Sequence, residues 1–259
     1  MLRFRSLGSG SAGNALLVQA HDGLRTSTAL IDCGLGIRRV AERVEQAGVE
    51  LGALDAIFIT HEHADHIGSA LALAQRERVP LWMSRGTWAA IGSPDIGPLL
   101  NLAADGQTID VGGLRLAPFT VPHDAREPLQ LMCTDGAARL GVLTDLGHVS
   151  SHARKCLAGC HALMLECNHD EAMLTAGPYP AFLKARVGGL WGHLSNAQAA
   201  QLLAEIAHPG LRHVVAAHLS EQNNQPELAQ RALATVLGAD AEDIAVAGPD
   251  GTADWLVAG

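Results

Sequence analysis

The feature that most constrains this chain is the segment THEHADHIG at residues 60–68, which places three histidines and an aspartate within six residues. The segment directly follows the apolar run AIFI at residues 56–59. Apolar residues then recur at near-helical spacing from Ile67 to Ala74. The pattern predicts a loop between a buried strand and a helix N-terminus, a junction rigid enough to hold side chains in place.

The four polar side chains of this loop are of the types that bind metal ions. Imidazole nitrogens and carboxylate oxygens suit zinc, manganese or iron. His61 and His63 lie two residues apart, so a turn can aim both at one ion, and Asp65 and His66 can serve a neighbouring ion. A solvated histidine-rich loop would explain a single His-x-His pair. It is a poor explanation for four ligand-type residues that lie between a predicted buried strand and a predicted helix. The segment therefore predicts a metal site.

The length of the chain and its pattern of apolar residues limit the number of domains and the location that can be expected. No linker-like stretch divides the 259 residues, so we expect one domain over residues 1–259. The longest apolar runs are strand-length and too short to span a membrane. The beginning MLRFR alternates like a strand and lacks the apolar core of an export signal. We expect a cytoplasmic protein with no membrane association.

The charge and aromatic content limit how a polyanion could be bound. A formal net charge of −9 argues against a general polyanion-binding surface, although two divalent ions would offset it locally. Aromatic residues make up only 3% of the chain. Recognition of a nucleic acid would therefore depend on phosphate contacts more than on base stacking. No protein partner is predicted.

The five cysteines are scattered and odd in number, which does not describe a disulfide framework. Cys156 and Cys160 could form a second metal site together with His152 and His161. Cysteines four residues apart fit a buried helical stripe equally well, and we favour that interpretation.

Several other positions that follow predicted strands or precede a predicted helix carry residues that could bind a metal or a phosphate. Asp32 follows the apolar pair Leu30-Ile31, His123 lies in PHD after Leu114–Val121, and Asp145 lies in LTDLG. The loop GSGSAGN at residues 8–14 is a phosphate cradle or a plain hairpin connection. His193 lies in GHLSN, where Ser195 is a predicted N-cap, and His218 follows the apolar segment His213–Ala216.

The remaining elements alternate between strand-rich and helical regions. Ser93–Leu100 is irregular, and a lid is one interpretation of it. Besides the site loops, the pattern predicts the helices Ile37–Ala47, Ser84–Ile91, Asn196–Ile206 and Glu227–Leu237, and the late strands Ala162–Glu166, Asp243–Val246 and Ala253–Val257.

Together these motifs resemble the YycJ/WalJ-like branch of the metallo-β-lactamase superfamily. The HxHxDH signature of residues 61–66 is accompanied between residues 9 and 229 by SGSAGN, PHDA, TDLGHV, LECNHD, YPAFLKARVGGLWGHLSN and HLSEQNNQPELA. The long run Tyr179–Asn196 is far more specific than HxHxDH, which lactamases, glyoxalase II and ribonucleases Z and J share. The resemblance implies an α+β fold, a four-layer αββα sandwich with metal loops along one edge of the paired sheets.

The resemblance also implies a ligand set for two divalent ions, zinc or manganese. One ion would be held by His61, His63 and His123, and the second by Asp65, His66 and His218. Asp145 would bridge the ions, and Asp32 would orient the metal loop from behind. Such a pair can activate a water and stabilise charge on the attacked group.

The implied activity is hydrolysis of phosphodiester bonds, as a 5′→3′ exonuclease on DNA. Asp65 and His193 are the predicted catalytic residues; His193 matches the histidine of the ribonuclease J-type SGHA motif, where it binds the scissile phosphate or protonates the leaving oxygen. Capping of the following helix is the alternative for His193. Further candidates to hold phosphate oxygens are Asn168, Lys184, Asn223 and Asn224. The chain lacks the inserted domain of ribonuclease J, which speaks against RNA processing.

Two other functions remain open. A hydrolase of small or cyclic phosphodiesters is the alternative enzyme, and the acidic charge favours it. A non-catalytic metal-binding interaction module would be expected to lack ligands, whereas all seven are present.

Overall fold

The computed structural model describes residues 1–259 and contains fourteen strands and nine α-helices. The strands are β1 Leu2–Gly8, β2 Ala15–His21, β3 Thr26–Ile31, β4 Ala56–Phe58, β5 Leu81–Ser84, β6 Leu100–Ala103, β7 Ile109–Val111, β8 Leu114–Thr120, β9 Leu129–Thr134, β10 Arg139–Leu143, β11 Ala162–Glu166, β12 His213–Ala217, β13 Ala245–Val246 and β14 Leu256–Val257. The helices are α1 Ile37–Gln46, α2 Ala64–Ile67, α3 Ala70–Glu77, α4 Arg85–Ala90, α5 Ser151–Leu157, α6 Glu171–Ala176, α7 Ala181–Val187, α8 Asn196–Ile206 and α9 Pro226–Leu237. None of these helices is both long enough and apolar enough to cross a membrane.

The strands form two seven-stranded sheets with the same internal plan. The first has the order β14-β1-β2-β3-β4-β5-β6, and the second has the order β13-β12-β11-β10-β9-β8-β7. Apart from β14, which pairs antiparallel with β1, antiparallel neighbours come first along the chain in each sheet. Parallel pairs follow, from β3 to β6 and from β10 to β13. Parallel pairs need crossover connections, and helices supply most of them. The two halves of the chain therefore build equivalent layers.

Three apolar cores hold these layers together. The central core lies between the sheets and includes Phe4 and Phe58 from the first sheet and Leu131 from the second. A second core packs the first sheet against helices such as α1 and α3, and a third packs the second sheet against α5, α8 and α9. Each fully buried Leu, Val or Phe contributes roughly 1.5–3 kcal/mol through removal from water. The layer order is helix, sheet, sheet, helix, which confirms the predicted αββα sandwich.

The predicted helix Asn196–Ile206 is confirmed, and its start has a clear local cause. The Ser195 hydroxyl accepts a hydrogen bond from the Gln198 amide, and the Gln198 side chain accepts one from the Ser195 amide. This reciprocal pair is a capping box, which satisfies two amide groups that a helix start leaves free.

The two C-terminal strands were predicted too long. Asp240 caps a 3₁₀ turn over Ala241–Asp243, so only Ala245–Val246 remains extended there. The Thr252 hydroxyl donates to the Asp254 carbonyl in a turn, which leaves Leu256–Val257 as the last strand. In both places, local side-chain hydrogen bonds compete with the sheet.

The segment Ser93–Leu100 is part of the core on the outer face of the first sheet. Ile96 is buried there, and the Pro94 carbonyl accepts a hydrogen bond from the Trp88 indole at 3.3 Å. The segment contributes no residue to the cavity described below. It is a packed connection into β6 and not a lid over the site.

Candidate metal centre

The ligand-type residues meet at one edge of the paired sheets because each of them ends or follows a strand. Asp32 follows β3, the segment 61–66 follows β4, and Glu166 ends β11. His123, Asp145 and His218 come after β8, β10 and β12. Asp32, Asp145 and His218 have φ angles of 58°, 57° and 55°, a left-handed conformation that residues other than glycine rarely adopt. Such strained positions cluster at functional sites.

Three histidines form the first donor set, which consists of His61, His63 and His123. His63 Nδ1 lies 3.0 Å from His61 Nε2 and 3.3 Å from His123 Nε2. In the neutral rings both Nε2 atoms carry the lone pair. His123 Nδ1 donates to the Gly192 carbonyl, and His61 Nδ1 donates to the Thr60 oxygen, because the Thr60 hydroxyl itself donates to Asp32.

The geometry of the first donor set fits a cation. A proton on His63 Nδ1 can bond to only one of the two lone pairs that face it. A cation in their midst satisfies all three nitrogens, and zinc–nitrogen bonds of 2.0–2.1 Å place tetrahedral ligands about 3.3 Å apart. The observed spacings of 3.0 and 3.3 Å are close to this value.

The second donor set consists of Asp65, His66 and His218. Asp65 Oδ2 lies 3.6 Å from His66 Nε2 and 3.5 Å from His218 Nε2. His218 Nε2 is buried and has no hydrogen-bond partner within the protein. An orphaned polar atom of this kind costs free energy unless a ligand satisfies it. Asp32 accepts a hydrogen bond from His66 Nδ1 at 2.8 Å, which turns His66 Nε2 toward the set.

Asp145 lies between the two donor sets. Its Oδ2 is 3.1 Å from His66 Nε2, and its Oδ1 is 3.9 Å from His123 Nε2. Burial alone would raise its pKa, but the charges of His218 and His66 hold the pKa well below its usual range. Oδ2 is buried, and its one close neighbour, His66 Nε2, is not oriented for a regular hydrogen bond. The cluster of histidines and aspartates is therefore able to bind metal.

Glu166 is a site residue that the sequence motifs did not predict. One carboxylate oxygen accepts from His193 Nδ1 at 2.8 Å and from His218 Nδ1 at 3.2 Å. The other accepts from the backbone amides of Leu146 and Leu194 at 3.1 and 3.0 Å. Burial would raise its pKa, but the charge of His193 and hydrogen bonds from His193 and His218 lower it to about 2. The available signal was a charged residue closing the otherwise apolar strand ALMLE.

His193 stands at the wall of a cavity of about 200 Å³ that opens onto the second donor set. Glu166 occupies its Nδ1, so Nε2 is the nitrogen left for a bound molecule. Burial would lower the pKa of His193, but the negative charge of Glu166 raises it. Helix capping does not require His193, because Ser195 caps α8.

Asp124 and Arg186 also line the cavity and were not predicted. Arg186 Nε and Nη2 both donate to Asp124 Oδ2 at 2.7 Å. Asp124 Oδ1 lies 3.4 Å from His123 Nε2. Burial would raise the pKa of Asp124, but the hydrogen bond from Arg186 lowers it. A guanidinium is thus fixed beside the first donor set, with 63% of the side chain still exposed.

The four predicted phosphate-binding residues are placed differently. Asn168 lines the cavity, and its amide donates to the His218 carbonyl at 3.0 Å. Lys184 donates instead to the Thr175 carbonyl and does not line the cavity. Asn223 and Asn224 are buried; Asn224 pairs with the Asn196 amide at 2.9 Å. The structure brings only Asn168 together with the ligand cluster.

The loop at residues 8–14 contacts the metal loop directly. Ser11 lines the cavity, and Asn14 Nδ2 lies 3.2 Å from the Asp65 carbonyl and 3.1 Å from His66 Nε2. Gly34 lies against the same carbonyl, and a Cβ there would overlap it. The hairpin loop therefore helps to fix the position of Asp65.

The cysteines form no second metal site. No cluster of converging ligand atoms includes a cysteine. Cys160 is buried in the core between the second sheet and its helices, and Cys156 packs against that core. The two cysteines pack in or against the core, but they do not form a buried helical stripe, because α5 ends at Leu157 and Cys160 follows it outside the helix.

The four layers and the histidine–aspartate edge define the class of protein. The beta-lactamase superfamily domain matches residues 28–219. The chain therefore belongs to the metallo-β-lactamase superfamily.

Within this superfamily, the chain is similar to the exodeoxyribonuclease YycJ of Bacillus anthracis. The two are 34% identical over 241 residues, which cover 91% of this chain and 89% of the relative. The resemblance to the YycJ/WalJ-like branch is thereby confirmed.

Solved structures share the same fold at low sequence identity. The metallo-beta-lactamase fold protein YhfI from Bacillus subtilis is 16% identical, with a TM-score of 0.75 over 99% of this chain and all of that one. Zinc-bound PqqB from Methylobacterium extorquens is 19% identical, with a TM-score of 0.71 over 99% of this chain and 100% of that one.

Proposed function

We propose that the protein is a phosphodiester hydrolase with two divalent ions, and that it acts as an exonuclease on DNA. The observation that carries the proposal is the convergence of both donor sets on Asp145 beside the cavity that His193 lines. The similarity to an exodeoxyribonuclease over nearly the whole chain supports DNA as the substrate. The 5′→3′ direction, implied by the resemblance, is part of the proposal.

The ligand roles follow from the two donor sets. His61, His63 and His123 hold one ion, and Asp65, His66 and His218 hold the other, with Asp145 shared. When bound, zinc or manganese ions supply an activated water and stabilise charge on the attacked phosphate. Asp65 is a ligand of the second ion and one of the two proposed catalytic residues, and Asp32 fixes the orientation of His66.

His193 is proposed to act on the leaving oxygen. Its Nδ1 is held by Glu166, so the ring cannot turn freely, and Nε2 is left for the cavity. Because the charge of Glu166 raises the pKa of His193, the imidazolium form is favoured. An imidazolium can donate a proton to the departing oxygen or hold the phosphate through a charged hydrogen bond.

Phosphate oxygens have three candidate partners at the cavity wall. They are the guanidinium of Arg186, the hydroxyl of Ser11 and the amide of Asn168. Arg186 carries charge, and its Nη1 remains available to donate, because Asp124 Oδ2 accepts from Nε and Nη2. We therefore expect Arg186 to contribute more to substrate affinity than Asn168.

We also propose that residues 1–259 form one cytoplasmic domain. The core between the sheets draws residues from both halves of the chain, including Leu2 and Ala258 near its ends.

The direct test is product analysis on end-labelled DNA with added manganese or zinc. The parent should release nucleotides progressively from the 5′ end, whereas Asp65→Asn should lose at least 100-fold in rate while keeping its fold. Asp110→Asn, which changes an exposed carboxylate on β7, is the matched control and should cleave like the parent. A cleavage rate of Asp65→Asn within about twofold of the parental rate would show that Asp65 is not a catalytic residue.

A hydrolase of small or cyclic phosphodiesters is the second candidate, favoured by the net charge of −9 and the modest cavity of about 200 Å³. Faster turnover of a nucleoside 2′,3′-cyclic phosphate or a cyclic dinucleotide than of DNA would establish it instead.

A further inference from the structure

The segment of residues 179–193, which contributes Tyr179, Arg186 and His193 to the cavity wall, carries an unusual concentration of aromatic residues. Three of the nine aromatic residues, Tyr179, Phe182 and Trp191, fall within thirteen positions. Tyr179 lines the cavity, while Phe182 and Trp191 are 75% and 61% exposed. The other six aromatic residues are buried or partly buried. The exposed aromatic residues of this chain, Phe182 and Trp191, therefore both lie in the segment Tyr179–Trp191.

The backbone that carries Trp191 is fixed. The Asp124 amide donates to the Trp191 carbonyl at 2.9 Å, and the His193 amide donates to the Val187 carbonyl at 2.8 Å. Gly147 packs so closely against the backbone of Leu190 and Trp191 that a Cβ would overlap it. The exposed indole is thus held on an ordered loop and not on a loose one.

Phe182 and Trp191 do not line the cavity themselves, but each lies next to a residue that does. Phe182 lies on α7 one turn before Arg186, so the two side chains are neighbours on the helix surface. Trp191 precedes Gly192, and both Arg186 and Gly192 line the cavity. We name Phe182 and Trp191 the aromatic rim.

We propose that the aromatic rim stacks the unpaired bases of a nucleic-acid strand whose end enters the cavity. The inference rests on the proposed function and deepens it, because it makes a single-stranded or frayed end the preferred substrate. Aromatic faces bind any base, and Arg186 beside Phe182 can accompany the backbone phosphate. With a net charge of −9, phosphate contacts alone bind weakly, so stacking supplies the missing affinity. The proposal differs from the expectation that nucleic-acid recognition depends on phosphate contacts more than on base stacking.

The test measures binding and turnover separately in the full chain with added manganese. Binding of a fluorescent single-stranded oligonucleotide with phosphorothioate linkages, which resist hydrolysis, is compared with that of a copy whose terminal nucleotides are abasic. Trp191→Ala and Phe182→Ala should each weaken binding of the intact oligonucleotide roughly 5- to 100-fold and leave the abasic one unchanged. Trp191→Tyr should restore most of the affinity.

Two controls separate stacking from other roles. Leu190→Ala removes an exposed apolar side chain from the same loop, and Leu24→Ala removes one from the distant β2–β3 turn. Both should bind DNA like the parent. All variants should keep the parental turnover of a small nitrophenyl phosphodiester, because the aromatic rim lies outside the metal centre.

Several results would overturn the inference. They are equal binding of intact and abasic strands by the parent, unchanged binding by Trp191→Ala, or an equal loss for Leu190→Ala. A parent that self-associates on sedimentation, with Trp191→Ala monomeric, would make the rim an interface between two copies. Failure of the proposed function is distinguishable, because the parent would then cleave neither substrate, although base-dependent binding would persist.

Discussion

The buried carboxylate of Glu166 fixes two histidines of the site at the same time. It accepts from His193 and His218 with one oxygen, and its second oxygen is occupied by two backbone amides. Such outer partners fix the ring orientation and the tautomer of a functional histidine. Glu166 is a positioning residue, because it acts through His193 and does not line the cavity.

Glu166→Gln keeps the shape of the side chain but removes its charge. Turnover of DNA should fall roughly 10- to 100-fold. Because the charge of Glu166 raises the pKa of His193, that pKa should fall in the variant. The alkaline limb of the pH–rate profile would then move to lower pH, since His193 must stay protonated to act. An unchanged pH profile, or an equal change in the exposed control Glu42→Gln, would contradict this role.

The ligand-type residues of the segment 61–66 could be recognised as a candidate metal site from the sequence, whereas Glu166 and Arg186 could not be assigned to it. Four ligands lie within six residues, so their spacing alone indicates a site. Glu166 and Arg186 come from distant segments, and only the tertiary fold brings them to His193 and Asp124. Asn223 and Asn224 show the converse, because their sequence context resembles a site, yet their side chains complete the interior packing of a loop.

At the level of elements, the metal loop, residues 60–68, is held by close backbone contacts with the β1–β2 loop and the β3–α1 connection. The Asn14 amide donates to the Asp65 carbonyl at 2.7 Å, and the Cys33 amide donates to the His66 carbonyl at 2.7 Å. Gly34 lies against the Asp65 backbone, where no side chain fits.

Gly34→Ala should therefore displace Asp65. We expect a loss of roughly 1–3 kcal/mol in the free energy of unfolding, together with weaker binding of one metal ion. Gly36→Ala is the matched control, because no atom lies within 4 Å of its Cβ position. Urea denaturation and metal titration of both variants would check the prediction. Equal unfolding free energies and equal metal affinities of the two variants would show that the close contact at Gly34 does not determine the position of Asp65.

Long, regular elements such as α8 followed from periodicity and capping. The short helices α6 and α7 did not, because the intervening GPYP segment breaks any periodic pattern. Their starts depend instead on local features, such as the Asp170 carboxylate that accepts from the Met173 amide. The part of the cavity wall formed by α7 was therefore not predictable from pattern alone.

At the scale of the whole molecule, the sheets and their helices bury several thiols. Burial raises the pKa of Cys33 to about 11 and that of Cys160 to about 11. The pairing of two equivalent sheets that creates these interiors could be expected only from the family resemblance, because the halves show no sequence repeat.

The buried thiols make stability fall at alkaline pH. In the unfolded chain these thiols ionise near pH 9, whereas in the folded protein they stay neutral until about pH 11. Their contribution is therefore complete below pH 9 and is lost as pH rises toward 11, by about 1.4 kcal/mol per thiol at pH 10. The free energy of unfolding, measured by denaturation at pH 8 and pH 10, should show this loss. In Cys160→Ala the loss between the two pH values should be smaller by the contribution of one thiol. An identical difference in parent and variant would contradict the assignment.

The central claim is that both donor sets hold an ion and that Asp145 belongs to both. Elemental analysis of the purified protein after metal addition tests it most directly, with the parent compared with Asp145→Ala and His218→Ala. We predict two divalent ions per chain in the parent, reduced occupancy of both positions in Asp145→Ala, and loss of mainly one ion in His218→Ala. A limit of one ion per chain in the parent, or equal losses in the two variants, would contradict the claim.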